Sequence, residues 1–461
     1  MLTGQEYLES LCDGRRTFHD GRRIEDVLSE PAFAVPARAI AAGYDRYYSP
    51  APGAKNPLVI APRSSDELRE RAAVIGEMDL ALNTTYQSLM TLLTAAPRLK
   101  GIGEVYRSRL QAYVEDAIAK DVRIAECITD AKGNRVLSPS KQNDADSYVH
   151  VVDRTSDGVI IRGAKLHISA ASLCHDLLVM PTKSMKAGEE EYSITCAVAV
   201  NSPGVTVINT TYHPKGADVR HYPVSSRVSI PDGFVVFDDV FVPNERVFLD
   251  GDPEYAAVFA HSLGLWERLG GLTAMVRQAD ELVGLAQLIA EANGLAGVSH
   301  IREKIDEMAI HATLLRASME AALSHAKATP EGYYFPDELF TNAAKYQGAA
   351  EFNRMVRNLH DIAGGAVLTA PSIGDLENPA TRAYVEKYMS TGTGVTAGDR
   401  LRLFHAIRDL TADAYGGWHL VTNLQSGGGL FAQRLVTRRH YDMERAKSIA
   451  RRAAGITAIP N

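Results

Sequence analysis

The chain changes character at residues 232–249, and this change limits the folds that it can adopt. Valine and phenylalanine dominate residues 234–242, where Asp238 and Asp239 form the only polar break, a pattern typical of a strand. Pro243 lacks a backbone N–H and therefore ends the strand pairing. After Tyr255 the apolar residues follow helical spacing to the end of the chain. A β-rich middle followed by a long helical region is expected.

The residues before this middle region have mostly helical patterns. Ser64 stands ahead of Asp66 and Glu67, and a capping residue followed by acidic side chains marks a helix start. Short strand-like runs with turn residues between them follow at 145–250, and they suggest a small barrel or sandwich. Helices are predicted at 64–78, 79–95, 103–119, 254–295, 300–328, 337–363, 396–423 and 430–454. Strands are predicted at 148–152, 159–161, 177–180, 192–200, 205–208 and 226–230, the first two as a hairpin.

A chain of 461 residues is too long for a single core, so several domains are expected. The predicted boundaries give a helical domain at 1–138, a β domain at 139–253 and a helical bundle at 254–461. A net charge of −7 provides no basic field that would attract nucleic acid. The N-terminus lacks a signal-peptide pattern, and no run of 18 apolar residues occurs, so a cytoplasmic protein without a membrane span is predicted.

The four cysteines, Cys12, Cys127, Cys174 and Cys196, are widely separated along the chain. Their spacing matches no metal-binding pattern, so no metal site is predicted. In a protein without a secretory signal, such cysteines are expected to be reduced thiols.

Two polar loops could bind an anion. In the first, Gly133 and Asn134 tolerate left-handed backbone, and Lys132 and Arg135 could hold a pyrophosphate. The second runs from Ser426 through Gly427, Gly428 and Gly429 to a helix, where successive backbone amides can bind an anion. An ordinary polar turn and a bare glycine linker are the alternatives.

The helix–strand–helix order and these motifs resemble the 4-hydroxyphenylacetate 3-hydroxylase family of flavin enzymes, a branch of the acyl-CoA dehydrogenase-like fold. The resemblance implies an α+β protein with an N-terminal helical domain, a middle β-barrel and a C-terminal helical bundle. It also implies FAD, used in its reduced form. Ser169 matches a hydroxyl that bonds the isoalloxazine edge in this family. The implied cofactor contacts are Lys132, Gly133, Asn134, Arg135, Ser169, Ser426, Gly427, Gly428 and Gly429.

The residues that would recognise a phenol only partly follow the family pattern. Tyr86 matches a substrate-binding tyrosine, whereas Leu82 stands in place of an arginine and Glu126 in place of a histidine. A phenolate would lose its cationic partner, and an ionised Glu126 would repel it, so simple 4-hydroxyphenylacetate is not the expected substrate. Glu126 could instead act as a general base or bind an amine. Pro181 and Thr182 match a position that faces substrate.

His167 is a third catalytic candidate beside Tyr86 and Glu126. It lies two residues before Ser169, which would place both on one face of a strand, and histidine titrates near neutral pH. A structural histidine is the alternative.

The last third of the chain resembles 4-hydroxybutyryl-CoA dehydratase, including residues 378–382. That enzyme holds an iron–sulfur cluster through three cysteines and one histidine. Leu265 and Leu272 stand where a histidine and a cysteine are expected, and Asn423 replaces a catalytic glutamate. Since a cluster needs thiolate ligands at fixed positions, no iron–sulfur cluster is predicted.

Three hypotheses about function follow from the resemblance. The preferred one is a two-component monooxygenase that receives reduced FAD from a separate flavin reductase and hydroxylates an aromatic or related small molecule with O2. The alternative is a cluster-free flavin enzyme that isomerises or dehydrogenates an acyl-CoA. The third is a binding protein that has lost its chemistry. The long helical half favours a homo-oligomer, either a dimer or a homotetramer.

Overall fold

The computed structural model describes residues 1–99, 101, 103–214 and 218–456. Along the chain, most helices lie before or after a region rich in strands. The first part contains α1 Gly4–Ser10, β1 Thr17–His19, β2 Arg22–Ile24, α2 Pro31–Tyr47, α3 Ser65–Ile75, α4 Leu80–Ala95, α5 Glu104–Ala119 and β3 Ile124–Cys127. The middle contains β4 His150–Arg154, β5 Gly158–Ser169, β6 Asp176–Val179, β7 Ile194–Ala199, β8 Val205–Thr210, α6 Ser225–Val228, β9 Asp232–Pro243 and β10 Val247–Asp250.

The C-terminal part is helical apart from one small hairpin. It contains α7 Pro253–Ala292, α8 Ser299–Ser324, β11 Lys327–Ala328, β12 Tyr334–Phe335, α9 Glu338–Ala363, α10 Ala366–Thr369, α11 Ile373–Glu377, α12 Arg382–Met389, α13 Ala397–Thr411, α14 Ala414–Gln425, α15 Gly429–His440 and α16 Met443–Ala453. No helix within the described residues combines the length and the hydropathy needed to cross a bilayer.

Side-chain caps fix several helix starts where the sequence predicted them. Ser64 accepts a hydrogen bond from the Glu67 amide at the start of α3, and Asp79 accepts one from the Leu82 amide at the start of α4. Each cap satisfies an amide that has no partner within the helix. The predicted helix starts near residues 64 and 79 are therefore confirmed.

The strands form two main sheets. One has six strands in the order β2-β1-β8-β9-β5-β4, and the other has four in the order β10-β7-β6-β3. The predicted hairpin is present as antiparallel β4 and β5. The predicted closed barrel is not shown by these pairings. Three strands come from the region predicted to be helical. Strand β1 pairs antiparallel with β2 and in parallel with β8, and β3 pairs in parallel with β6.

The strand predicted at 226–230 is wrong, because residues 225–228 form the short helix α6. The amides of Val224 and Ser225 both donate to Asp409 Oδ2, at 2.8 and 2.9 Å, and this anchors the turn to α13. A long-range contact therefore decides the local conformation there.

Two predicted long helices are each divided in the structure. The helix predicted at 396–423 breaks between α13 and α14, where a Cβ on Gly416 would lie 2.6 Å from the Thr411 backbone. The helix predicted at 430–454 breaks between α15 and α16, where Asp442 accepts a hydrogen bond from the Arg445 amide. After the first break, Trp418 of α14 reaches the end of the larger sheet, where its Nε1 donates to Asp232.

Two large hydrophobic clusters frame the region between the sheets and the helices. One joins α1 and α2 to both sheets, and the other joins α3, α4 and α5 to β3 and α7. Tyr86 and Trp266 belong to the second cluster and are almost completely buried. This second core positions the side chains described next.

Candidate active site

Helix α4 is fixed to strand β3 by two buried hydrogen bonds. Thr84 Oγ1 donates to the Ile124 carbonyl at 2.8 Å, and the Ile124 amide donates to Thr85 Oγ1 at 2.8 Å. The helix that carries Tyr86 is thereby held against the strand that carries Glu126. Two of the predicted catalytic residues are thus placed on elements that are locked together.

Tyr86 lies in the buried core with its hydroxyl unpaired. Its ring meets Trp266 edge to face at 5.8 Å, and its OH has no hydrogen-bond partner among the described residues. The guanidinium of Arg71, on α3, lies 5.9 Å from the centre of the same ring, and its buried Nε is also unpartnered. Burial raises the pKa of Tyr86, and the nearby Arg71 charge opposes that rise. A cation is therefore present beside Tyr86, although Leu82 is not the residue that supplies it.

Leu82 lines a cavity of about 920 Å³ between α2, α4, α7 and α8. Leu82 lies one helical turn before Tyr86 on α4. Its walls also include Asp79, Thr273 and Arg277, so it presents both apolar and charged groups. The predicted substrate-binding position Leu82 thus faces a space large enough for a small organic molecule.

Glu126 on β3 is one of two half-buried carboxyl groups that influence each other. Its Oε1 is buried without a hydrogen-bond partner among the described residues. Burial raises the pKa of Glu126 well above its usual value, and the charge of Glu267 on α7 raises it further. A raised pKa favours the protonated form of the carboxyl group, which can donate a hydrogen bond. The repulsion of a phenolate predicted from the sequence therefore does not apply below that raised pKa.

Glu267 connects this carboxyl group to the glycine loop. Burial raises the pKa of Glu267. A hydrogen bond from the Gly427 backbone and the charges of Lys345 and Arg268 lower this pKa, but by less. The Lys345 Nζ donates to the Asn423 carbonyl at 2.9 Å, and burial lowers the pKa of Lys345 to about 8. Neither Glu267 nor Lys345 was predicted, because each lies within a long helix without a recognisable motif around it.

The glycine loop has a conformation that favours glycine. Gly427, Gly428 and Gly429 have φ values of 70°, 94° and 66°, all in the left-handed region. Arg268 Nε donates to the Gly427 carbonyl at 2.8 Å, and a Cβ on Gly427 would lie 2.7 Å from Arg268 Cγ. The loop follows Ser426, which ends α14, and begins α15. It is therefore held in place by α7.

A buried ion pair fixes the other candidate anion-binding loop. Asp130 Oδ1 lies 2.7 Å from Lys165 Nζ, and both side chains are 1% exposed. Lys165 Nζ also donates to the carbonyls of Ile128 and Met180, at 3.0 and 2.8 Å. This joins the loop to the end of β6, where buried Pro181 and half-buried Thr182 follow. Asp130 thus has a structural role, and the two predicted segments lie together.

Lysine and arginine side chains gather on the outer side of this loop. Burial lowers the pKa of Lys132, and the positive charges of Arg135 and Lys183 lower it further. None of these three cations has an ion-pair partner within the described part of the chain. Lys132 and Gly133 adopt left-handed backbone, and Gln142 holds the loop through the backbone of Asn134. The arrangement suits a pyrophosphate, and Lys183 is a cation that sequence analysis missed.

His167 does not share the regular strand geometry that was predicted for it. The β5–β9 pairing shifts register between Lys165 and Ile168, and His167 has a left-handed φ of 62° and is exposed. A bulge of this kind interrupts the two-residue alternation of side chains. The regular strand on which a shared face for His167 and Ser169 was predicted is therefore interrupted there, and the shared face stays a prediction.

Ser169 belongs to a hydrogen-bonded group at the end of the larger sheet. Its Oγ donates to Asp232 Oδ1 at 2.6 Å. Asp232 Oδ2 accepts from the Tyr212 hydroxyl at 3.0 Å and from Trp418 Nε1, on α14, at 2.9 Å. Sequence analysis identified Ser169 but not these three partners, which come from distant parts of the chain.

These residues fit a flavin nucleotide better than an iron–sulfur cluster. Unpaired cations, a left-handed glycine loop and unpartnered buried polar atoms all suit a large polar cofactor. Leu265 and Leu272 are buried leucines of α7 with no donor atom for iron. The described residues contain no group of three or more His, Cys, Asp or Glu side chains arranged to hold a metal ion.

Family models match both parts of the chain. Residues 3–249 match the model described as 4-hydroxyphenylacetate 3-hydroxylase N terminal, and residues 256–455 match the one described as 4-hydroxyphenylacetate 3-hydroxylase C terminal. The chain therefore belongs to the 4-hydroxyphenylacetate 3-hydroxylase family. The resemblance predicted from the sequence is confirmed.

Two characterised relatives represent the two kinds of chemistry considered above. The chain is 24% identical to 4-hydroxybutyryl-CoA dehydratase/vinylacetyl-CoA-Delta-isomerase from Clostridium aminobutyricum, over 99% of this chain and 100% of the relative. It is 26% identical to the 4-hydroxyphenylacetate 3-monooxygenase oxygenase component from Thermus thermophilus, over 90% and 89% of the two chains.

One solved structure shows that the fold is shared along the chain. The oxygenase component of 4-hydroxyphenylacetate 3-monooxygenase complexed with FAD superposes with a TM-score of 0.85 at 24% identity, covering 98% of each chain.

Proposed function

We propose that this protein is the oxygenase component of a two-component monooxygenase that hydroxylates an aromatic substrate. The observation that carries the proposal is the match of both halves of the 4-hydroxyphenylacetate 3-hydroxylase family to residues 3–455, with a short gap between them. The relative from Thermus thermophilus is named as such an oxygenase component. Reduced FAD together with O2 supplies the oxidising chemistry when bound. A separate flavin reductase would deliver it.

The chain offers distinct residues for the two ends of FAD. Lys132, Arg135 and Lys183, which have no ion-pair partner among the described residues, would hold the pyrophosphate, with Asn134 and Gly133 shaping the loop. Backbone groups of the loop Ser426–Gly427–Gly428–Gly429 and the hydroxyl of Ser169 would bind nearer the ring. Such contacts are the protein's usual contribution to flavin chemistry, because they orient the ring and tune its reactivity.

The group around Tyr86 supports a phenolic substrate. Arg71 supplies positive charge beside Tyr86, and the Tyr86 hydroxyl is free to bond a substrate oxygen. Glu126, when neutral, would donate a hydrogen bond to an oxygen rather than repel it. Leu82, Pro181 and Thr182 would form the apolar and polar walls around the aromatic ring of the substrate. The buried setting would keep water away while the substrate is oxidised.

The test combines flavin binding with isotope labelling. The protein should bind reduced FAD, and a phenolic substrate supplied with ¹⁸O₂ should yield a product that contains one ¹⁸O atom. Without substrate, the reduced complex should release H2O2 in air. Failure to bind FAD in either redox state, or a product whose new oxygen comes from water, would refute the proposal.

A second candidate function is isomerisation or dehydrogenation of an acyl-CoA without a cluster. The relative from Clostridium aminobutyricum aligns with 99% of this chain, and Glu126, Glu267 and Lys345 form a buried acid–base group. A positioned base of this kind could move a proton at the carbon beside a thioester. Conversion of vinylacetyl-CoA under strictly anaerobic conditions would favour this function, whereas a requirement for O2 would favour the first.

The remaining expectations about assembly are part of the same proposal. The helix–sheet–helix order supports the acyl-CoA dehydrogenase-like arrangement, with domain boundaries near residues 138 and 253. Large apolar side chains exposed on α15 support a homo-oligomer, as a dimer or a homotetramer. A cytoplasmic location remains the prediction from the sequence.

A further inference from the structure

Asp232 stands directly opposite Ser169 where the larger sheet ends. Ser169 closes β5 and Asp232 opens β9, and the two residues pair across the strands. The bulge at His167 changes the direction of the side chains that follow it. Asp232 also binds Trp418 of α14, so it links Ser169 to the helix that leads into the glycine loop.

The hydrogen bonds around Asp232 have only one consistent direction. An indole N–H can only donate, and Trp418 Nε1 donates to Oδ2 at 2.9 Å. The Tyr212 hydroxyl donates to the same oxygen, and both burial and the Asp232 charge raise the pKa of Tyr212, which keeps its proton in place. The Ser169 hydroxyl donates to the other oxygen, Oδ1, at 2.6 Å, so this bond uses the serine's own proton.

This direction restricts the groups with which the Ser169 hydroxyl can form a further hydrogen bond. A hydroxyl has a single proton, and Asp232 accepts it, so the Ser169 oxygen is left with acceptor lone pairs only. The isoalloxazine ring gains an N–H at its central ring when it is reduced, and the oxidised ring has a bare acceptor nitrogen there. A hydroxyl that can only accept would form a hydrogen bond with the N–H of the reduced ring but not with the bare nitrogen of the oxidised ring.

We propose that Asp232 is a positioning residue that makes Ser169 an acceptor for the N–H present only in reduced FAD, so that the site prefers reduced over oxidised FAD. This inference rests on the proposed function, in which Ser169 lies at the flavin edge. Such a preference suits an oxygenase that receives its flavin already reduced and releases it oxidised.

The substitution Asp232→Asn tests the direction of the bond. Trp418 and Tyr212 still donate toward the Oδ2 position, so they hold the amide oxygen there and turn the NH₂ group toward Ser169. The amide then donates to Ser169 Oγ and frees the serine proton to bond the bare nitrogen of oxidised FAD. The preference for reduced FAD should therefore weaken or reverse.

The measurement is anaerobic equilibrium titration of the full-length protein with oxidised and with reduced FAD. Wild type should bind reduced FAD more tightly. In D232N the ratio of the oxidised to the reduced Kd should fall about tenfold, the size expected for one charge-assisted hydrogen bond. The reduction potential of the bound flavin should fall by about 30 mV, which is the equivalent of tenfold for a two-electron couple.

Two controls separate this role from a merely structural one. Asp238→Asn makes the same charge change at an exposed position of β9 and should leave the ratio unchanged. Ser169→Ala should lower the ratio by itself, and adding D232N to S169A should have no further effect. If D232N does not fold, Asp232→Ala removes the acceptor of the serine proton and should also lower the ratio.

An unchanged ratio in D232N, or in S169A, would overturn the inference. So would an effect of D232N that persists without the Ser169 hydroxyl. Wild-type protein that binds neither form of FAD would instead refute the proposed function itself. If D232N binds both forms of FAD tightly and with the wild-type ratio, the proposed function stands and only the role of Asp232 is refuted.

Discussion

Glu126 and Arg71 set the charge around Tyr86, and both differ from what the local sequence suggests. The family resemblance implied a leucine and a glutamate where an arginine and a histidine would recognise a phenol. The structure supplies a cation from α3 and a carboxyl group whose pKa is raised by burial. Neither could be predicted, because contact between residues 71 and 86 depends on how two helices pack. The protonation of Glu126 depends on Glu267, which is 141 positions away in sequence.

The raised pKa of Glu126 predicts a pH-dependent cost in stability. A buried carboxyl group binds its proton more tightly when folded, so its contribution is full below about pH 4.3 and is lost as pH rises toward the folded pKa. Glu126→Gln removes the ionisation, so the variant should match wild type near pH 4 and melt roughly 1–3 °C higher near pH 8. Thermal unfolding across this pH range measures the difference.

A Glu126→Gln variant that is less stable than wild type at pH 8 would contradict the raised pKa. Wild-type kcat/KM should also decline as pH rises through that pKa, and the glutamine variant should lack this decline. Both results depend on a neutral Glu126 acting as a hydrogen-bond donor.

Arg71→Gln should weaken the binding of a phenolic substrate. Loss of a charged partner beside Tyr86 should raise KM roughly 10- to 100-fold, because one charged hydrogen bond contributes about 1.5–3 kcal/mol. FAD affinity should not change, since Arg71 lies away from the predicted cofactor loops. The matched control is Arg69→Gln on the same helix, whose exposed side chain pairs with Glu320 at 2.7 Å. Equal effects of the two substitutions on KM would show that Arg71 has no special role.

Helices and strands differ in how far the sequence determines them. The caps of α3 and α4 are local signals, so both helix starts could be predicted from a few residues. Strands β1 and β3 have three and four residues, and their parallel partners lie far along the chain, so no local alternation reveals them. The break before α16 carried a readable signal, since Asp442 caps the helix, whereas the break before α14 arises from backbone packing at Gly416.

The glycine loop is where local conformation and the cofactor site meet. Gly427→Ala should destabilise the protein by roughly 1–2 kcal/mol, because a left-handed φ costs about this much for a residue with a Cβ. The new methyl group would also crowd Arg268, so FAD should bind more weakly. Urea unfolding and FAD titration measure both effects.

Gly417→Ala is the matched control for the loop. Gly417 lies within α14, is exposed and has no atom close enough to crowd a Cβ. Alanine favours helix over glycine by up to about 1 kcal/mol, so this variant should be more stable and bind FAD normally. Normal FAD affinity in Gly427→Ala would show that the loop does not form part of the cofactor site.

The C-terminal helices leave an apolar surface whose partner is absent from a single chain. Helix α15 packs on α9 with Gly429 and Gln433 buried, whereas Phe431 and Leu435 point outward with 73% and 51% of their surface exposed. Helix α16 has no buried residue, and its Ile449 is 50% exposed. Exposed apolar residues one helical turn apart are typical of a subunit interface. We therefore expect α15 and α16 to lie between subunits of the proposed homo-oligomer.

The double substitution Phe431→Asp and Leu435→Asp should convert this assembly to smaller species. Two carboxylates would face the partner's apolar surface at the interface centre, and burying unpaired charge there is strongly unfavourable. Light scattering coupled to size exclusion measures the mass, with far-UV circular dichroism to confirm that the helices remain folded. Val105→Asp adds a charge at an apolar α5 residue that is 55% exposed, and it should leave the mass unchanged. A wild-type monomer, or a double variant of wild-type mass, would show that these helices do not form the interface.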